Sequence, residues 1–131
     1  MFRSILIFGI ALLAPGAPSA QGYPNRTIRM VVTFPPGGAT DILGRITAQK
    51  ITERFGQPAV VENRVGGGGN IGADFVAKAE PDGYTLLIGG VPQAISMSLF
   101  EKLPYDFARD LAPIVNLAVF PSVILCIPRC R

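Results

Sequence analysis

Histidine and tryptophan are absent from this chain, and cysteine occurs only twice. Losing histidine removes the side chain that most often serves as general base or metal ligand near neutral pH. The acidic residues, nine in all, are scattered rather than paired. No catalytic constellation can be assembled from them, so an enzyme is not expected. Charge is sparse at 16% of residues, and the basic side chains run singly from Arg26 and Arg29 through Lys50 and Lys78 to Arg109. A basic stripe with interleaved aromatics is missing, which excludes nucleic acid as an expected partner. Cys126 and Cys130 both fall in the last six residues. Two thiols without histidine make a poor zinc site, because structural zinc takes four ligands. An oxidising compartment would allow them a disulfide. The plainer expectation is that residues 126–131 form a tail atypical of the fold. No cofactor and no metal are expected.

Long apolar runs are also lacking. Ile5 to Leu13 is nine residues, whereas a spanning helix needs about 20. It follows the basic start Met1-Phe2-Arg3 and precedes the breakers Pro15, Gly16 and Pro18, with Ala20-Gln21-Gly22 offering small residues for cleavage. That is the layout of a secretory signal peptide. Residues 1–22 are therefore expected to be a leader, and the chain from Tyr23 onward one small exported domain.

Glycine, by contrast, is plentiful, and two clusters of it organise the rest. Thr27 to Phe34 alternates Ile28, Met30, Val32 and Phe34 with Arg29, Val31 and Thr33, a strand pattern with one face more apolar than the other. Pro35-Pro36 stops it, and Gly37-Gly38-Ala39-Thr40-Asp41 leads into a helix from about Thr40 to Phe55. On that helix Ile42, Leu43, Ile46, Ile51 and Phe55 spread over a broad apolar arc, opposite a solvent stripe of Arg45, Gln49 and Thr52. Gly56 and Pro58 end it. Ala59 to Glu62 reads as a second strand. It is followed by Val65-Gly66-Gly67-Gly68-Gly69-Asn70-Ile71-Gly72 and a short helix with Ile71, Phe75 and Ala79 every fourth residue. Pro81-Asp82-Gly83 is a turn, Tyr84 to Ile88 a third strand, and Ala94 to Phe100 a further short helix. Leu103 to Asp110 reads as an ordered loop and Ile114 to Ala118 as another strand. Strands alternating with helices predict an α/β fold with a mostly parallel sheet.

A strand, a glycine loop and a helix in succession present backbone N–H groups that lack intrahelical partners. The helix dipole adds partial positive charge at the same point. Two such units side by side make an anion pocket built from backbone, which indicates binding rather than catalysis. Ordinary tight turns would use the same glycines. A dinucleotide-binding enzyme fragment is the second alternative, since Gly67 to Gly72 fits G-x-G-x-x-G. That fingerprint also wants a carboxylate about 20 positions on, at the end of the next strand, and here the next strand runs into Gly89-Gly90. Asp41 is expected to accept a backbone N–H at the helix start, or else to hold the Gly37–Thr40 loop open or meet the amino group of a ligand.

Taken in order, Tyr23-Pro24-Asn25-Arg26-Thr27-Ile28, Phe34-Pro35-Pro36-Gly37-Gly38-Ala39-Thr40-Asp41 and Gly56-Gln57-Pro58 form a series. Val61-Glu62-Asn63-Arg64, Gly68-Gly69-Asn70-Ile71-Gly72, Pro81-Asp82-Gly83-Tyr84-Thr85-Leu86 and Leu103-Pro104-Tyr105-Asp106 continue it. The series resembles the Bug-type extracytoplasmic solute-binding proteins, receptor subunits of tripartite tricarboxylate transporters, from Tyr23 to about Leu125. The resemblance implies a periplasmic, non-enzymatic receptor with two α/β lobes, of which residues 23–125 would be the first and incomplete one. It implies a small carboxylate ligand held by Pro36, Gly37, Gly38, Ala39, Thr40, Asp41, Gly68, Gly69 and Asn70. The loop around Gly90 to Gln93 would line the same cleft, and the membrane components of the transporter would be the partners. The chain departs from the family at Val65 and Gly67, where proline and alanine are common. It also lacks a small hydroxyl residue in Gly90–Gln93, and it reaches Arg131 where the family crosses into a second lobe. The expectation from that departure is a fragment that binds solute weakly or not at all. The faces of Thr27–Phe34 and Ile114–Ala118 would then lack neighbours. An exported interaction module without solute binding is the remaining alternative.

The leader makes a direct prediction. Mass spectrometry of the exported fraction should find a chain beginning at Tyr23, or at Gln21 as second choice. A membrane-embedded product that keeps Met1 would contradict it.

Overall fold

The structure, a computed structural model, describes residues 22–120. The leader up to residue 21 and the Cys126–Cys130 tail lie outside the described residues. Within them the order is β1 (Ile28–Val32), α1 (Ala39–Phe55), β2 (Ala59–Asn63), a short 3₁₀ turn (Gly67–Gly69), α2 (Asn70–Ala77), β3 (Thr85–Ile88) and α3 (Val91–Leu99). The three strands form one parallel sheet in the order β2-β1-β3. Met30 lies opposite Val61 on one side and Leu86 on the other. The expected α/β class and parallel sheet are what the chain adopts.

Strand β1 is central, and its burial shows it. Ile28, Met30, Val31, Val32 and the following Thr33 are all buried. The Ile28, Met30 and Val32 face is the more apolar one, as expected, with Arg29 exposed on the other. The expectation that this strand would lack neighbours is corrected, since β2 and β3 flank it on either side. Ile28, Met30 and Val32 face α1 through Ala48, with Ile88 completing the cluster. Val31 and Thr33 point the opposite way, where Gly72 of α2 packs against the Thr33 methyl. Burying each large apolar side chain in this sandwich is worth about 1.5–3 kcal/mol. Parallel strands covered on both faces are the arrangement that near-continuous apolar runs encode.

The helices meet the sheet mainly through small residues, and of the apolar arc expected on α1 it is Ile51 that packs against the core. On α1 the buried positions are Asp41, Gly44 and Ala48, while Ile42, Ile46 and Phe55 are each about half exposed at 52%. A Cβ at Gly44 would stand 2.9 Å from Val32 Cγ2. Close approach of backbone to sheet therefore decides which side faces inward. The solvent stripe of Arg45, Gln49 and Thr52 is exposed as expected. Helix α2 likewise buries Gly72, Ala73 and Val76 and leaves Ile71 exposed. Gly56 ends α1 in the left-handed conformation, its N–H bonded to the Thr52 carbonyl. The Thr52 hydroxyl then accepts the Ala59 N–H, which starts β2.

The expected strand over Ile114–Ala118 does not form. Residues 111–120 carry no regular structure, and Ile114 and Val115 are largely exposed. Alternating apolar residues favour a strand only where a ladder partner exists, and the outer edge of β3 is paired with nothing among the described residues. The Leu103–Asp110 loop is ordered as expected. Its Tyr105 is buried, and its Asp106 side chain accepts the N–H groups of Ala108 and Arg109.

The small-residue contacts generate a prediction. A Cβ at Gly72 would meet the Arg64 carbonyl oxygen at 2.9 Å and Thr33 Cγ2 at 3.0 Å. Overpacking of this kind costs about 1–3 kcal/mol, against about 1 kcal/mol regained from helix propensity. Gly72→Ala should therefore lower the urea midpoint although it is a helix-favouring change. An unchanged or higher midpoint would show that α2 can retreat from the sheet freely.

Candidate functional site

Because all three strands are parallel, all three strand-to-helix loops leave from one edge of the sheet. The order β2-β1-β3 means that the chain steps outward in opposite directions from β1. Helices α1 and α2 consequently cover opposite faces. The loops after β1 and β3 diverge there, which in open α/β sheets is where ligands bind.

Each of the three helices begins on a glycine. The N-caps are Gly38, Gly69 and Gly90, and none supplies a side-chain capping bond. Serine, aspartate or asparagine at these points would have satisfied the first-turn N–H groups. Glycine supplies no such bond at the positive ends of the three helix dipoles. At α2 the Asn70 N–H is taken by the Gly67 carbonyl, and at α3 the Gln93 N–H by the Gly90 carbonyl. Two of these loops were legible as glycine clusters. The third, Gly89-Gly90, likewise joins a strand to a helix, with Gly90 extended where Gly69 is left-handed.

The first loop is held from within. Asp41 is 3% exposed. Its carboxylate accepts the Gly37 N–H at 2.9 Å, Arg45 Nε at 2.9 Å and Asn63 Nδ2 at 2.9 Å. Asn63 also donates to the Phe34 carbonyl at 3.0 Å. Asp41 thus holds the Gly37–Thr40 loop in shape, the second of the roles expected for it, and ties that loop to the end of β2. These donors, Arg45 foremost, then Gly37 and Asn63, hold the Asp41 carboxyl far below the ordinary carboxylate range. Its charge is matched internally, so it does not confront an anion outside. Pro36, Gly37, Gly38 and Ala39 are exposed, and Thr40 is half-buried.

The second loop depends on backbone conformation. Gly66, Gly67, Gly68 and Gly69 all have positive φ, from 57° to 126°. Four consecutive residues of that kind are accessible only to glycine. Gly68 is open, with nothing within 4 Å of a built Cβ, whereas Gly69 is buried. The Asn70 side chain accepts a hydrogen bond from the Tyr105 hydroxyl at 2.7 Å. Burial, aided by the nearby Asp74 charge, raises the Tyr105 pKa and keeps that donor protonated.

Gln93, from the third loop, is fully buried at 0% exposure. Its Oε1 accepts the Gly90 N–H at 2.8 Å and its Nε2 donates to Thr33 Oγ1 at 3.1 Å. Sequence reading passed over Thr33, Asn63 and Tyr105 as site residues. All three sat inside or beside quoted motifs, and a polar residue closing a buried strand was the available clue. A cavity of about 330 Å³ lies elsewhere, lined by Met97, Phe100, Leu103, Tyr105 and Arg109 among others and by no residue of the glycine loops. Where a dinucleotide fold would place its ribose-binding carboxylate, β3 ends in Ile88 followed by two glycines. Among the described residues no group of three or more histidine, cysteine or acidic side chains could hold a metal ion.

The fold is thus an α/β one, a three-stranded parallel sheet flanked by helices whose N-termini meet at one sheet edge. The chain belongs to the tripartite tricarboxylate transporter receptor family, whose model matches residues 43–130. That span takes in the second glycine loop and the Cys126–Cys130 segment, and it begins just after the first loop. BugT of Bordetella pertussis is 42% identical across the whole of this chain, which spans 42% of its length. Among solved structures, Rhodopseudomonas palustris Rpa4515 with adipate superposes with a TM-score of 0.60 at 39% identity, covering 66% of this chain and 29% of that one. MatC from the same organism, with bound malate, gives 0.59 at 38% identity, covering 67% and 30%.

The Asp41 network makes a pH prediction. A folded-state pKa held below the ordinary 3.8 contributes stability that is complete above that ordinary value and is lost as pH falls toward the lowered one. Asp41→Asn should lower the urea midpoint at pH 7, and its deficit relative to the native chain should shrink on acidification below about pH 4. A pH-independent deficit would assign Asp41 a purely steric role.

Proposed function

We propose that this chain carries the carboxylate-binding loops of an exported, non-enzymatic solute receptor. The reading rests on one observation above all: three glycine-capped helix N-termini at a single sheet edge. Backbone N–H groups at Gly38, Ala39 and Thr40 on one side and at Gly68 on the other would share the ligand's carboxylate oxygens. The Gly69 and Asn70 N–H groups, bonded to the Gly66 and Gly67 carbonyls, keep the second loop in shape. Hydrogen bonds to an ionised acceptor are shorter and about twice as strong as neutral ones. Each helix N-terminus adds about 0.3–1 kcal/mol of favourable interaction with negative charge. Adipate and malate in the relatives' structures are small dicarboxylates, which supports that ligand class here. Periplasmic location after removal of residues 1–22, and delivery to membrane components of a tripartite tricarboxylate transporter, follow from family membership and the leader-like start. In a two-lobed receptor these loops would form one wall of the cleft. Taken alone they would face water and bind weakly.

Gly38 offers the cleanest test. Its φ is −77°, and a Cβ there would meet only the Pro35 carbonyl, at 3.6 Å. Gly38→Val therefore fits the backbone while placing a branched side chain over the loop's donors. Calorimetric titration with malate and adipate should show affinity at least about tenfold weaker, equivalent to one lost charge-assisted bond, with the urea midpoint little changed. Native affinity in this variant would reduce the loop to an ordinary turn. Gly69→Val would be less informative, since it strains a φ of 95° and collides with Gln93.

A further inference from the structure

Family membership draws attention to residues that touch ligand, but Gln93 holds a different position. Its side chain is the largest buried polar group among the described residues, and three segments converge on it. Its oxygen holds the Gly90 N–H at the start of α3. Its nitrogen donates to Thr33 at the end of β1. The same nitrogen lies 2.0 Å from where a Cβ on Gly69 would stand, with Thr33 Cβ a further 3.2 Å contact. A side chain on residue 69 and an amide at 93 cannot occupy that space together. Each polar end of the amide has a partner within the protein, as a buried amide requires, and the side chain is shut off from solvent.

We infer that Gln93 is a positioning residue: it locks the second glycine loop, the third loop and the end of β1 into one rigid unit. This rests on the reading of these loops as a carboxylate site, because the lock's consequence is a fixed spacing between two sets of donors. Glycine loops are conformationally free by nature, and a pocket made from them binds well only if something else fixes their geometry. Gln93 does this without reaching the ligand. Its Oε1 fixes the N–H of the α3 N-cap residue Gly90, and its packed face sets how closely the Gly66–Gly69 turn approaches β1.

A double-mutant cycle in the full chain tests the lock. Gly69→Ala introduces both the collision with Gln93 and the strain of an alanine at positive φ. Only the collision is relieved by Gln93→Ala, so the strain cancels in the cycle. Gly69→Ala should shift the urea midpoint strongly in the native background and much less in Gln93→Ala. Additive shifts would overturn the inference. Gln93→Met, which keeps bulk but loses both hydrogen bonds, should speed amide exchange at Gly90 by about tenfold, the equivalent of one neutral hydrogen bond. Exchange at Gly37, held by Asp41, should not change. In malate titration the same variant should bind more weakly while retaining native helix content. Coupled loops with unaltered malate affinity would leave Gln93 structural only and refute its positioning role. Weakened affinity with unaltered Gly90 exchange would make Gln93 a direct ligand contact and refute it equally. Weak binding is what these loops alone should give, so the carboxylate reading is contradicted if malate and adipate at saturating concentration perturb no glycine-loop amide, while the cycle would still decide whether the lock exists.

Discussion

The central placement of β1 is the constraint from which the rest of this structure follows. With β1 between β2 and β3, successive right-handed parallel connections step across the sheet in opposite directions and so place helices on both faces. Helix α1 therefore lies on the Ile28–Met30–Val32 face and α2 on the Val31–Thr33 face. The reversal of strand order at β1 then opens the sheet's loop edge on either side of it. Nothing else in the chain needs to be unusual for three helix N-termini to arrive there together.

What is unusual is how those termini are built. Natural helices are normally closed by serine, threonine, asparagine or aspartate, yet all three here start on glycine. The missing caps are replaced by bonds that stabilise the loops from behind. Asp41 and Asn63 brace the first loop from the β2 side. Gln93 and Thr33 brace the second and third from the opposite face of β1. Polar side chains are thus buried beneath the loops, and the outer surface is left to backbone. Under the proposed carboxylate reading, such a surface would recognise charge without demanding a particular side-chain partner, in keeping with relatives seen with adipate and with malate.

Much of this was legible in the sequence, for physical reasons. Strands β1, β2 and β3 are short apolar runs bounded by glycine and proline, and such boundaries are set locally. Helix α1 stops at Gly56 because a left-handed residue is needed there, and only local information is involved. The face that α1 buries was not legible, because Ile42 and Ile46 outweigh Gly44 and Ala48 in any apolar count. The close approach that favours small residues is a tertiary effect. The Ile114–Ala118 segment failed for the same kind of reason: its alternation suits a strand, but a strand is completed by a neighbour. Among the site residues, the glycines announced themselves by clustering. Thr33, Asn63 and Tyr105 are single polar residues whose roles depend on contacts 22 to 60 positions away in sequence, and no local pattern reveals them.

The central claim is that the loop edge of the sheet, and not another surface, receives a carboxylate. Backbone amide chemical shifts followed during titration of the chain with malate test it most directly. The account predicts that the largest changes fall on Gly38 to Asp41 and on Gly68 to Asn70, with Gly90 next. Changes centred on the Met97–Asp110 cavity, or spread evenly with no maximum at the glycine loops, would contradict it.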